Sequence, residues 1–140
     1  MAVSNVKAQF PCEVQKIWDI VTSLENYAWR SDIERIECVE ERQFVEYTKD
    51  GYATTFTVTK QIPCERWEFD MENENMKGHW VGIFSQKEGY TEIDFTEDVT
   101  AKRMVLRPFV NAYLKRQQAH YVEDLRKAVD ALRINFKETP

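Results

Sequence analysis

The sequence predicts an α+β fold: a curved antiparallel sheet of seven strands wrapped around a long C-terminal helix, with two short helices after the first strand. Three observations predict it. Between Ile33 and Thr100 apolar and polar residues alternate with a period of two. Residues 104–137 return to a helical period over a length no other segment approaches. The turns between the alternating runs are short, which suits an antiparallel meander and leaves no room for crossover helices.

Each element follows from its residues. Val6, Ala8 and Phe10 occupy alternate positions and predict a half-buried strand over 3–10. Pro11 ends it and suits a helix entry, with its set φ and missing donor. From Glu13 to Thr22, Val14, Ile17, Trp18 and Val21 fall on one helical face. Ser23-Leu24-Glu25-Asn26 interrupts that helix, and Tyr27, Ala28 and Trp29 read as a second short helical turn. Six strands follow, carried by Ile36/Cys38, Val45/Tyr47, Phe56/Val58, Trp67/Phe69/Met71, the apolar run Gly78–Gln86, and Ile93/Phe95. Asp50-Gly51 and Glu88-Gly89 are hairpin signals, while Pro63 and Asn73-Glu74-Asn75 separate the remaining runs. Pro108 fits the first turn of the last helix. Steps of about 100° from Leu125 place Val110, Leu114, Tyr121, Ala128, Leu132 and Phe136 on its inner face, with Gln117 and Gln118 interrupting it. His120 falls outside that face and reads as a solvated residue.

Composition narrows the function classes. At 140 residues the chain suits one domain, 1–140, large enough to hide roughly two-thirds of its surface without metal or disulfide staples. An apolar content of 43% with 13% aromatics excludes a disordered chain. No uncharged run exceeds nine residues, so nothing spans a bilayer, and MAVSNVKAQF lacks the apolar core of a signal peptide. A cytoplasmic protein is expected. The net charge of −5 has the wrong sign for general nucleic-acid binding. Residues 101–137 nevertheless carry +6 against −11 for the rest. Matching of a basic helix to an acidic sheet is the favoured explanation, and docking of an acidic partner through Lys115 and Arg116 is the other. Cys12, Cys38 and Cys64 form no CxxC, and His79 and His120 form no HExxH or HxH. Reduced, mostly packed thiols are expected, with no metal. No GxSxG, P-loop or GxGxxG occurs, so no cofactor is expected either.

The opening Phe10-Pro11-Cys12-Glu13-Val14-Gln15-Lys16-Ile17-Trp18 resembles the "strand, small or Pro turn, helix with a Val-x-x-Val-Trp" start of the START/Bet v 1-like helix-grip (SRPBCC) proteins. Leu24-Glu25-Asn26-Tyr27-Ala28-Trp29 is similar to their "D-x-x-x-Y-x-x-W" segment, with Glu25 near the acidic position, and Leu125-Arg126-Lys127-Ala128-Val129 to their terminal helix. The polyketide cyclase/dehydrase-type branch is the nearest in pattern. The resemblance spans essentially the whole chain and specifies fold more than chemistry. It implies a protein that holds an apolar or aromatic small molecule between helix and sheet, although some members bind a protein partner and the fold hosts many functions.

A curved sheet and a straight helix cannot touch along their whole length, so a cavity is expected between them. Tyr27, Trp29, Phe56, Trp67, Trp80, Phe84, Gln117, Gln118 and Tyr121 are the expected ligand-binding residues, with Tyr27, Trp29, Trp67 and Tyr121 at the entrance. Two glutamines on an apolar helix face either reach water at the rim or serve a wet cavity together with the Tyr121 hydroxyl; the cavity is preferred. Glu97 continues the inward parity of Ile93 and Phe95 and, if buried, has a pKa raised into acid–base range. A frayed or bulged strand that leaves Glu97 wet is the preferred alternative. Glu40-Glu41 and Glu97-Asp98 cannot act as pairs, because adjacent strand residues face opposite ways, and both read as turn or edge residues. With Trp80 and Phe84 inward, His79 faces out and has no role. The expected function is binding of a hydrophobic or aromatic small molecule. A cyclase/dehydratase-like enzyme using Glu97 or Tyr121, and a partner-binding module on the basic helix, are the alternatives. A homodimer is compatible with any of the three.

Overall fold

A computed structural model describes residues 2–138, with side chains as far as residue 132. The elements are β1 (Ala2–Phe10), α1 (Val14–Thr22), β2 (Ile33–Glu40), β3 (Gln43–Thr48), β4 (Ala53–Ile62), β5 (Arg66–Glu72), β6 (Met76–Lys87), β7 (Tyr90–Ala101), a 3-10 turn at Met104–Leu106, and α2 (Arg107–Glu138). The strands form one antiparallel sheet in the order β1-β7-β6-β5-β4-β3-β2, so the first strand closes against the last. The long helix lies against β1 and β7.

Parity decides which side chains face α2. On β7, Thr91, Ile93, Phe95, Val99 and Ala101 are buried on one parity, with half-buried Glu97 between Phe95 and Val99. On β6, Trp80 and Phe84 are buried with Gly82 between them. A Cβ on Gly82 would sit 2.3 Å from the Trp80 ring, so the indole lies flat over that glycine. Phe69 on β5 stacks on Trp80 at 4.7 Å, and Trp67 meets it edge-on at 5.9 Å. The hairpins at Gly51 and Gly89 need the positive φ that glycine adopts without strain. His79 faces outward as expected, between Glu68 and Asp70 at 3.0 and 2.7 Å.

The structure corrects several sequence expectations. No second helix follows α1: Tyr27–Arg30 makes a single turn, closed by the Arg30 N–H on the Tyr27 carbonyl at 3.0 Å. So short a segment cannot repay helix nucleation on its own, and tertiary bonds hold it instead. Asp124 of α2 accepts from both the Ser31 N–H (2.9 Å) and the Ser31 hydroxyl (2.8 Å). On β3 the Val45/Tyr47 parity turns outward, where Arg35 stacks on Tyr47 at 3.7 Å. Phe44 points inward because it pairs in register with Phe56 and stacks on its ring at 5.0 Å.

On α2, Val110, Leu114 and Leu125 are buried, but Leu132 is 47% exposed and Val129 takes its place. Val129 belongs to the core cluster against which Ile20 of α1 packs. Phe136 lies outside the described side chains. Cys12 and Cys64 are half-buried, whereas Cys38 is exposed near the end of an edge strand. Among the described residues, the ion pair joining the basic segment to a strand is Lys102–Glu72 at 2.8 Å. Arg126 instead donates to the Gln9 carbonyl and covers Phe10, so this basic residue seats the helix on β1 by packing.

Candidate functional site

A cavity of about 200 Å³ lies between the inner face of the sheet, residues 21–36 and α2. Trp67, Phe69, Trp80, Phe95, Phe44 and Phe56 build its sheet wall. Eight of the nine expected ligand-binding residues line it: Tyr27, Trp29, Phe56, Trp67, Trp80, Gln117, Gln118 and Tyr121. Phe84 does not, because its ring is buried against Trp18 at 5.0 Å on the α1 side of Phe95. Trp67 is 6% exposed and therefore sits deep in the wall rather than at the entrance. The exposed lining residues Glu72, Lys77, Tyr113 and His120 mark the rim.

The two glutamines divide the roles expected of them. Gln118 is buried, and its amide is fully engaged: it accepts from the Ser4 hydroxyl at 2.7 Å and donates to the Ser4 carbonyl at 3.0 Å. That reciprocal pair satisfies a buried amide and pins α2 to β1. Gln117 is half-buried and donates to the Tyr113 hydroxyl at 3.2 Å, on the rim side. The Trp67 indole N–H is buried without a hydrogen-bond partner.

Glu97 resolves against fraying. It pairs in register with Ser4 of β1 and Trp80 of β6, inside a continuous β7, so neither it nor Asp98 is at an edge or turn. Glu40-Glu41 does sit at the β2–β3 turn. Burial pushes the Glu97 carboxyl up to about 7, opposed by the nearby Arg30 charge. A carboxyl raised in the folded state binds a proton that the unfolded chain releases. That component of stability is present below the ordinary carboxyl value and is lost as pH rises through about 7. The urea midpoint is therefore expected to fall between about pH 5 and about pH 8, and Glu97→Gln to flatten that fall. Parallel profiles for the two proteins would show that Glu97 titrates normally. Glu46 shifts in the same direction, through burial, and is common to both proteins.

A charged cluster completes the site. Arg30 donates to both carboxylate oxygens of Asp32 (3.3 and 3.4 Å) and to Glu46 at 3.5 Å. Its guanidinium lies 4.8 Å from the centre of the Tyr121 ring. Burial works against its charge, but Glu46, Tyr121 and Asp32 outweigh that and keep it protonated. Burial raises the Tyr121 hydroxyl above the ordinary phenol value, which makes it a donor rather than a base. Sequence reasoning missed Arg30, Asp32 and Glu46. One signal was available for Glu46: it shares the parity of Phe44, the most apolar ring of its strand.

No family model matches the sequence, and no curated protein matches it. Solved structures do. A START superfamily protein from Mycobacterium smegmatis superposes with a TM-score of 0.85 at 15% identity, over 93% of this chain and 98% of that one. The fold is START-like. The di-domain ARO/CYC BexL from the BE-7585A biosynthetic pathway superposes on 93% of this START-like chain with a TM-score of 0.79 at 10% identity, using 47% of its own length. The Aha1 dimer from Colwellia psychrerythraea gives 0.71 at 16% identity over 92% of this chain and 96% of its own. Identities this low carry the helix-grip architecture across and leave the chemistry to the residues of this chain. Among the described residues no helix is long and apolar enough to cross a membrane.

Proposed function

We propose that the chain, as one cytoplasmic domain, binds a small apolar or aromatic molecule in the cavity between sheet and α2. The observation that carries this reading is an aromatic-walled cavity of about 200 Å³ between sheet and helix. An apolar cavity of about 150 Å³ already holds benzene, so a body of one or two rings fits, with any longer group leaving by the rim. The superposable START-like and ARO/CYC structures support the same reading at the level of architecture.

The test is a thermal-shift screen of neutral aromatic, quinone, flavonoid and aliphatic compounds, joined to native mass spectrometry of protein purified from its own host. A ligand at about a hundred times its Kd adds about 2.7 kcal/mol and raises Tm measurably. No shift with any compound and no retained mass would overturn the reading.

Glu97 favours a second reading, a cyclase/dehydratase-like enzyme. A cavity carboxyl near 7 can take a proton from a bound molecule or return one at neutral pH. Orientation of a folded substrate by the aromatic walls would supply the rest. This reading predicts that Glu97→Gln abolishes turnover while ligand binding persists.

A further inference from the structure

The cavity is unequal in charge. Four carboxyl groups line it, Asp32 from the turn before β2, Glu46 from β3, Glu97 from β7 and Glu72 at the rim, against two cations, Arg30 and the exposed rim residue Lys77, with His120 also at the rim. Arg30 is spent, with three of its N–H donors on Asp32 and Glu46. One face of its guanidinium plane lies against Tyr121. Its charge is therefore already matched by two carboxylates before any anion arrives. Glu97 is the reverse case, a carboxyl aimed at the cavity that makes no hydrogen bond to any described residue. From α2, Tyr121 and Tyr113 face this region as phenols, and the amide of Gln118 is closed by Ser4.

Resting on the cavity reading above, we infer that the site selects ligands by head group: it takes an apolar body bearing a hydrogen-bond donor without negative charge, and rejects carboxylates. Two physical reasons support this. A carboxylate would bring a further negative charge into a partly desolvated lining that already holds more acids than bases, where repulsion is screened far less than in water. A hydroxyl, by contrast, donates to ionised Glu97 and accepts from the protonated form, so it satisfies that group in either state. An amine does so when Glu97 is ionised.

A matched series with one aromatic body isolates the head group: naphthol, naphthylmethylamine, methoxynaphthalene and naphthoate, titrated calorimetrically at about pH 8, above the Glu97 value. Naphthol and naphthylmethylamine are expected to bind at least about tenfold more tightly than naphthoate, with methoxynaphthalene between them. In Glu97→Gln, folded by circular dichroism, that gap is expected to shrink by about threefold or more. Naphthoate binding as tightly as naphthol would overturn the inference while leaving the cavity reading intact. An undiminished gap in Glu97→Gln would remove Glu97 as the selecting group and overturn it too. No binding by any of the four would bring down the inference and the cavity reading together.

Discussion

Phe95→Ala is expected to lower the unfolding free energy by about 3–5 kcal/mol, read as a fall in the urea midpoint with an unchanged slope. Phe95 is 2% exposed and stands where the two halves of the interior meet. Its ring lies 4.7 Å from Trp80 on the cavity side, 5.6 Å from Phe84 on the α1 side, and 6.0 Å from Tyr121 across the gap to α2. Removing it withdraws a contact from the sheet and from the long helix at once. The rings around it cannot all collapse inward, because Trp80 is already held over Gly82 and stacked on Phe69. The void therefore persists and merges with the existing cavity. Domains of this kind have about 5–15 kcal/mol in total, so the loss is a large share. Phe95→Leu, which keeps most of the volume, should cost clearly less. A loss under about 1 kcal/mol for the alanine variant would mean that the interior repacks freely, contrary to the close packing described.

Arg30→Met should cost about 3 kcal/mol, whereas Arg30→Met combined with Glu46→Leu should recover most of that loss. The asymmetry follows from the electrostatics of partly buried ion pairs. Arg30 and Glu46 are both about 15% exposed at the side chain, so each has given up most of its water. Taking away the cation leaves the Glu46 carboxylate desolvated and unpaired, with Asp32 nearby. Taking away both members returns an apolar contact under Tyr121 and Trp29. The measurement is a double-mutant cycle by urea denaturation, with a coupling of at least about 1 kcal/mol expected. Additive single effects would show that the pair acts as two independent solvated charges. The cycle also bears on ligand choice, since the double variant removes one acid and one base and leaves the acidic excess of the cavity unchanged.

Much of this molecule is readable from local pattern. Strand side chains repeat every two residues, so the inward positions Trp67 and Phe69, Trp80 and Phe84, Ile93 and Phe95 follow from counting. The same count carries Glu97 inward, and only the idea of a frayed strand end argued against it. Its place between β1 and β6, hydrogen-bonded on both sides, is a pairing that no single strand announces. Where two parities compete on hydrophobicity alone, as with Val45/Tyr47 against Phe44/Glu46, the stacking partner Phe56 on the neighbouring strand decides. Gln118 shows the same dependence. Its amide looked free for a ligand until Ser4, 114 residues earlier, supplied both partners.

The helix-grip architecture was legible because it rests on short-range regularities: alternation, a helical stripe, turn residues at hairpins. The cavity's chemistry was not, because Arg30, Glu46, Glu97 and Tyr121 come from a turn, two strands and a helix with no shared motif. What joins them is closure of the sheet around α2. Only that closure strips their water, shifts the Glu97 carboxyl, and turns four unremarkable side chains into one charged site. Desolvation depends on everything packed around a group, and a linear order of residues does not contain that sum.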